Sequence, residues 1–135
     1  MGKGHLKYAY WNDGFWKISV VDDNDSVGFY VSMVLDNKNQ PLIAYEDDLN
    51  YDLKYASWDG KNWNIQTVDT IGVVGKHTSI AHDNQNQPCI SYFDYTHGTL
   101  KFAYWTGSKW DIHTIDASLG GSGQYSSLAI DSNQL

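Results

Sequence analysis

Residues 6–22 read LKYAYWNDGFWKISVVD, residues 53–69 read LKYASWDGKNWNIQTVD, and residues 100–116 read LKFAYWTGSKWDIHTID. Leu6, Leu53 and Leu100 stand 47 residues apart, and Trp16, Trp63 and Trp110 keep the same step. Asp36 and Asp83 keep it too, while Asp131 arrives one residue late, which places an insertion in SLGGSG. A fixed period between about 20 and 50 residues marks a repeat architecture. In such a chain each unit buries its faces only against its neighbours.

Each unit holds four short strand-like runs, for example TSIAHD, PCISYF, LKFAYW and WDIHTID. The separators NQNQ, DYTHGT and TGSK are turn chemistry. Alternation places Leu53, Tyr55 and Ser57 on one face and Lys54, Ala56 and Trp58 on the other. Both faces carry apolar bulk, so the strand is expected to be covered on both sides. Four short strands per repeat with a recurrent Trp predict an all-β fold, a β-propeller of four-stranded blades. With the small, apolar TSIAHD run innermost, residues 1–22 supply the last two strands of a blade. Residues 23–69 and 70–116 form full blades, and 117–135 form one innermost strand, YSSLAID.

That makes eleven strands, or 2.75 blades, too few to close a ring of four to eight. An open array leaves aromatic blade faces wet, roughly 600 Å² or about 15 kcal/mol of unrealised burial, together with open strand edges. The missing neighbours are expected from copies of the chain, two of them head to tail giving about six blades, or from the remainder of a longer propeller. The stop at DSNQL, before a further strand, favours the latter.

Composition narrows the function classes. The chain has 135 residues, a net charge of −7, nine Lys and no Arg. Nucleic-acid binding calls for a basic footprint with arginine forks, and an acidic membrane surface would repel such a chain. No window approaches a membrane span and the N-terminus shows no secretory apolar region, so a soluble protein is expected. The single Cys89, in the apolar run PCISYF, excludes an internal disulfide and a thiolate zinc cluster. GVVGKHT has two residues between Gly72 and Gly75 and is followed by a strand, so it is no phosphate loop.

The Trp-x4-Trp hairpins at Trp11/Trp16, Trp58/Trp63 and Trp105/Trp110 carry a resemblance. WDGKNW resembles the W-D-G-x-G-W hairpin of the small fucose-binding propeller lectins. In that family two-blade chains assemble into a six-blade ring and both hairpin tryptophans contact sugar. The resemblance implies that role for Trp58 and Trp63, with Trp11, Trp16, Trp105 and Trp110 as weaker copies. The family's Arg and Glu sugar clamps fall here at Ala44 or Ser91 and at Tyr55. SWDGKNW also resembles the sialidase-type Asp-box, a structural hairpin. Sialidase activity needs an arginine cluster, which this chain lacks.

Ten of the sixteen acids fall at the connections between the fourth and first strands or between the second and third. Among them Glu46, Asp48 and Asp94 are candidate ligand-binding carboxylates for a cation or a polyhydroxyl ligand; the plainer reading is a solvated rim. DNKNQP and DNQNQP read as tight turns in which Asp36 and Asp83 bond their own backbone, because Lys38 and the missing Gly do not fit a calcium loop. His82 reads as a hydrogen-bonded structural histidine. No cofactor, metal site or catalytic residue is expected. The expected function is a non-catalytic binding module for carbohydrate. The alternatives are a purely structural, self-assembling array, or part of a propeller glycoside hydrolase or lyase working through Glu46 or Asp48.

Overall fold

The computed structural model describes residues 4–118 and 120–133. The fold is all-β, with ten strands and no helix among the described residues. They are β1 (Leu6–Asn12), β2 (Phe15–Asp22), β3 (Val27–Leu35), β4 (Pro41–Asp47), β5 (Asp52–Trp58), β6 (Trp63–Asp69), β7 (Lys76–His82), β8 (Pro88–Asp94), β9 (Thr99–Trp105) and β10 (Trp110–Asp116). They form one two-stranded sheet, β1-β2, and two four-stranded sheets, β3-β4-β5-β6 and β7-β8-β9-β10, all antiparallel between neighbours in chain order. Short turn-rich connections leave no room for crossovers, so each sheet is a meander. The turns form as their side chains dictate. Asp36 Oδ1 accepts from the backbone N–H of Lys38 and Gln40, both at 2.8 Å, and Asp83 Oδ1 accepts from Gln85 at 2.8 Å and Gln87 at 2.9 Å.

The expected eleventh strand is not there. Residues 125–131 run as irregular chain beside β7. A strand needs a neighbour to ladder with, and among the described residues none follows. Side chains hold the segment instead: Leu128 N–H donates to Ser79 Oγ at 2.9 Å, and Ser126 Oγ donates to the His77 carbonyl at 3.2 Å.

The sheets stack through two seams that are images of each other at the sequence period. One buries Leu6, Val21, Val27, Ile43, Tyr45 and Ala56, with Tyr8 and Trp63 against them. The other buries Leu53, Val68, Val74, Ile90, Tyr92 and Ala103, with Tyr55 and Trp110 against them. Each residue of the first set lies 47 positions before its counterpart. Strand β5 shows the two-sided burial expected of it: Leu53 and Tyr55 join one seam, Ala56 the other. Position decides exposure. Ile80, with a sheet in front of it, is 6% exposed, whereas its counterpart Met33, with none, is 50% exposed.

The same stitches recur along the closest approach, between β3 and β7. Thr78 Oγ1 donates to the Tyr30 carbonyl, and Ile80 N–H to Ser32 Oγ at 3.1 Å, as Ser126 and Leu128 do one repeat later. Tyr30, His77 and Tyr125 occupy one repeat position and all adopt positive φ, 48°, 51° and 56°. Such bulky residues rarely do so, at a cost of about 1–3 kcal/mol each. The register shifts after Phe29 and Lys76 place a bulge there. At Tyr30 and His77 the turned-out carbonyl is what the next segment's hydroxyl needs.

Candidate functional site

Each hairpin tryptophan pair is in ring contact: Trp11–Trp16 at 5.5 Å, Trp58–Trp63 at 5.3 Å and Trp105–Trp110 at 5.5 Å between centroids. The reason is register, since each pair is directly cross-strand at the hairpin mouth, where neighbouring side chains lie closest. The middle pair lines a cleft. Trp58 and Trp63 close one side of a space of about 340 Å³ whose other walls are Tyr8, Tyr10 and Ser19 of the first sheet and Asn39, Gln40 and Pro41 of the β3–β4 turn. Tyr8 and Tyr10 are stacked at 5.7 Å, and Tyr8 meets Trp63 edge-on at 5.6 Å. The indole N–H of Trp63 is shielded from solvent and finds no acceptor among the described residues. An orphaned buried donor costs about 1–3 kcal/mol. Trp11 and Trp16 are exposed, at 59% and 63%. Trp110 packs against the second seam, where its Nε1 donates to Gln66 Oε1 at 2.9 Å, and Trp105 lies against it.

The candidate carboxylates are not gathered in this cleft. Glu46 stands five residues along β4 from Pro41, about 17 Å by strand rise. It is fully buried. Its Oε1 lies 3.3 Å from Lys76 Nζ, yet neither oxygen accepts a well-formed hydrogen bond. Burial therefore outweighs the Lys76 charge and pushes this carboxyl above its ordinary range. Asp48 is half-buried, and its backbone N–H donates to the Ser26 carbonyl. Asp94 is buried and accepts from His97 Nδ1 at 2.8 Å, with Lys101 Nζ at 3.9 Å.

The acids at the strand connections turn inward to a degree composition does not reveal: Asp22, Asp47, Asp69 and Asp94 are all buried. Two of them form a recurrent node. Tyr45 donates to Asp22 at 2.7 Å, and 47 residues later Tyr92 donates to Asp69 at 2.7 Å. Lys101 Nζ lies 2.5 Å from Asp69, while Lys54 pairs instead with Asp47 at 3.2 Å. Burial would push Asp69 up, but Lys101, the Ile71 N–H and the Tyr92 hydroxyl together hold it below its ordinary range. Burial raises Tyr92, and the carboxylate beside it adds to the shift. These acids are structural rather than a rim open to water. Their signal in the sequence is that Tyr45/Tyr92 and Lys54/Lys101 recur at the same step.

A second recess, about 460 Å³ and open, lies over Tyr30, Val31, His77, Thr78, Tyr125 and Ser126. Its three rings are in contact in sequence, Tyr30 edge-on to His77 at 4.6 Å and His77 tilted against Tyr125 at 4.2 Å. His82, the expected structural histidine, has Nδ1 2.8 Å from the Asp83 carbonyl and Nε2 2.9 Å from that of Leu35. Cys89 is buried, and burial raises its thiol to about 11. Among the described residues no group of three or more His, Cys, Asp or Glu side chains is placed to hold a metal ion, and no helix is long and apolar enough to cross a membrane. No protein-family model and no curated protein matches the chain.

Proposed function

We propose that the stacked sheets are blades of a β-propeller and that the cleft between the first two binds a neutral saccharide without catalysis. One observation carries the ligand reading: four aromatic side chains and three polar neutral ones, Ser19, Asn39 and Gln40, line the cleft, with no charged group among its walls. A pyranose offers an apolar face to an aromatic ring and hydroxyls to amides and hydroxyls. A charged ligand would enter without a counter-charge. The pairing of Trp58 with Trp63 in the cleft agrees with the role that the lectin-like hairpin implies. The test is glycan-array binding. The wild-type chain is expected to retain neutral glycans, and Trp58→Ala to weaken them about tenfold or more. Equal binding by the variant would remove the basis of this reading.

The blade reading is supported by the two seams related by the 47-residue step and by an unpaired one. Trp11, Trp16, Met33 and Leu35 are exposed, whereas their counterparts one repeat later, Trp58, Trp63, Ile80 and His82, are buried or half-buried behind the preceding sheet. Patches of this kind mark association sites. A second copy, head to tail, is the proposed cover. Native mass spectrometry is expected to show a dimer or a larger closed ring; a chain that stays monomeric at high micromolar concentration would refute self-association.

A further inference from the structure

The two seams share one design and differ where they face the hairpin tryptophans. Ring geometry is the same in both. Tyr8–Trp63 lies at 5.6 Å and 71° and Tyr55–Trp110 at 5.3 Å and 70°, while Trp58–Trp63 and Trp105–Trp110 both stand at 58°. The indole of Trp63 thus packs on its neighbouring rings as that of Trp110 does, and Ser19 holds the repeat position of Gln66, the acceptor of the Trp110 N–H. Asn39, Gln40 and Pro41 recur as Asn86, Gln87 and Pro88. What changes is Ser19 for Gln66, and Tyr10 for Ser57. Gln66 reaches its indole at 2.9 Å. Ser19, several atoms shorter, leaves the Trp63 N–H without an acceptor and leaves room in the cleft.

We propose, resting on the saccharide reading above, that Ser19 is the specificity-determining residue of the site. It keeps the Trp63 N–H available for an oxygen of the ligand, and Gln66 closes the second seam by taking that same hydrogen bond from within the chain. The ligand is thus a neutral pyranose that lays one face on the aromatic walls and directs a hydroxyl or ring oxygen past Ser19 to the indole. The N–H is shielded from solvent in the ligand-free chain, so the cleft walls must shift locally as that oxygen enters. Of the two seams among the described residues, the first carries such a site and the second does not.

The test is calorimetric titration of the whole chain with methyl α-L-fucopyranoside, methyl β-D-galactopyranoside and methyl α-D-mannopyranoside. For the glycoside that binds wild type, Ser19→Gln is expected to lose about tenfold or more in affinity. Its Tm is expected to hold or rise, and the Trp63 indole proton to move downfield without ligand. Ser19→Ala, which loses the Ser19 hydroxyl but supplies no acceptor to the indole, is expected to lose clearly less affinity than Ser19→Gln. Wild-type affinity in Ser19→Gln, or equal losses in Ser19→Gln and Ser19→Ala, would overturn the assignment while leaving the saccharide reading in place. If the wild-type chain takes none of the three, the saccharide reading itself fails, and this inference with it.

Discussion

Asp69→Ala is expected to lower the unfolding free energy by about 3–5 kcal/mol, the usual cost of removing one partner from a buried ion pair. The carboxylate anchors three elements at once. It accepts from Tyr92 of β8, pairs with Lys101 of β9, and caps the turn after β6 through the Ile71 N–H at 3.0 Å. Without it the Tyr92 hydroxyl and the Lys101 ammonium are left desolvated; Asp94, 3.9 Å from Lys101, is already engaged with His97. Lys101→Met alone is expected to cost less, because it leaves the smaller desolvation debt of a carboxylate that still has two donors. The double variant should recover part of the Asp69→Ala loss, since contacting residues are not additive.

The pH dependence has a fixed sign. The folded-state carboxyl lies below its unfolded value, which is about 3.9 for an aspartate. The stabilisation is therefore complete above that value and is lost as pH falls through the depressed folded one. Urea unfolding should show a large gap between wild type and Asp69→Ala at pH 7, narrowing toward pH 3. A gap that stays constant with pH would mean that packing, not charge, accounts for the loss.

The second large effect is expected at Gly75. A Cβ there would fall 3.0 Å from the Leu53 Cα and 3.2 Å from the Asp52 carbonyl oxygen, backbone atoms that cannot swing away. Its φ of +89° adds a conformational penalty. Gly75→Ala combines the positive-φ cost of about 1–2 kcal/mol with an overpacking cost of about 1–3 kcal/mol. Gly107 supplies the control: its φ is +97°, and an added Cβ would meet nothing within 4 Å. Gly107→Ala should show the backbone term alone. Thermal unfolding that ranks the two variants equally would show that the close approach to Leu53 does not matter. The same approach recurs at Gly28 against Leu6 and at Gly123 against Leu100, so this contact is a structural element of every seam rather than a local accident.

Much of this fold is legible in the chain because the repeat reports on its own neighbours. The period alone locates the strands, and the alternation in LKYASW correctly divides Leu53 and Tyr55 from Ala56. What composition hides is direction. Asp22, Asp47, Asp69 and Asp94 sit at strand ends where acids usually face water, yet they point inward to meet Tyr, Lys, Asn and His donors. Residues 125–131 match a strand pattern but lack a ladder partner among the described residues, and pattern cannot supply one. Tyr30, His77 and Tyr125 adopt a left-handed backbone without Gly or Asn to announce it, because the demand comes from a hydroxyl on the next repeat. The difference between Ser19 and Gln66 is visible when the repeats are aligned. Its meaning is not, because the indole each one faces belongs to the following sheet.

The most direct measurement is a titration followed on the six indole N–H resonances, using the same methyl glycosides. The account predicts that Trp58 and Trp63 shift together in a saturable way while Trp105 and Trp110 stay in place. Shifts confined to the exposed pair Trp11 and Trp16, or equal movement in the second seam, would contradict a saccharide cleft between the first two sheets.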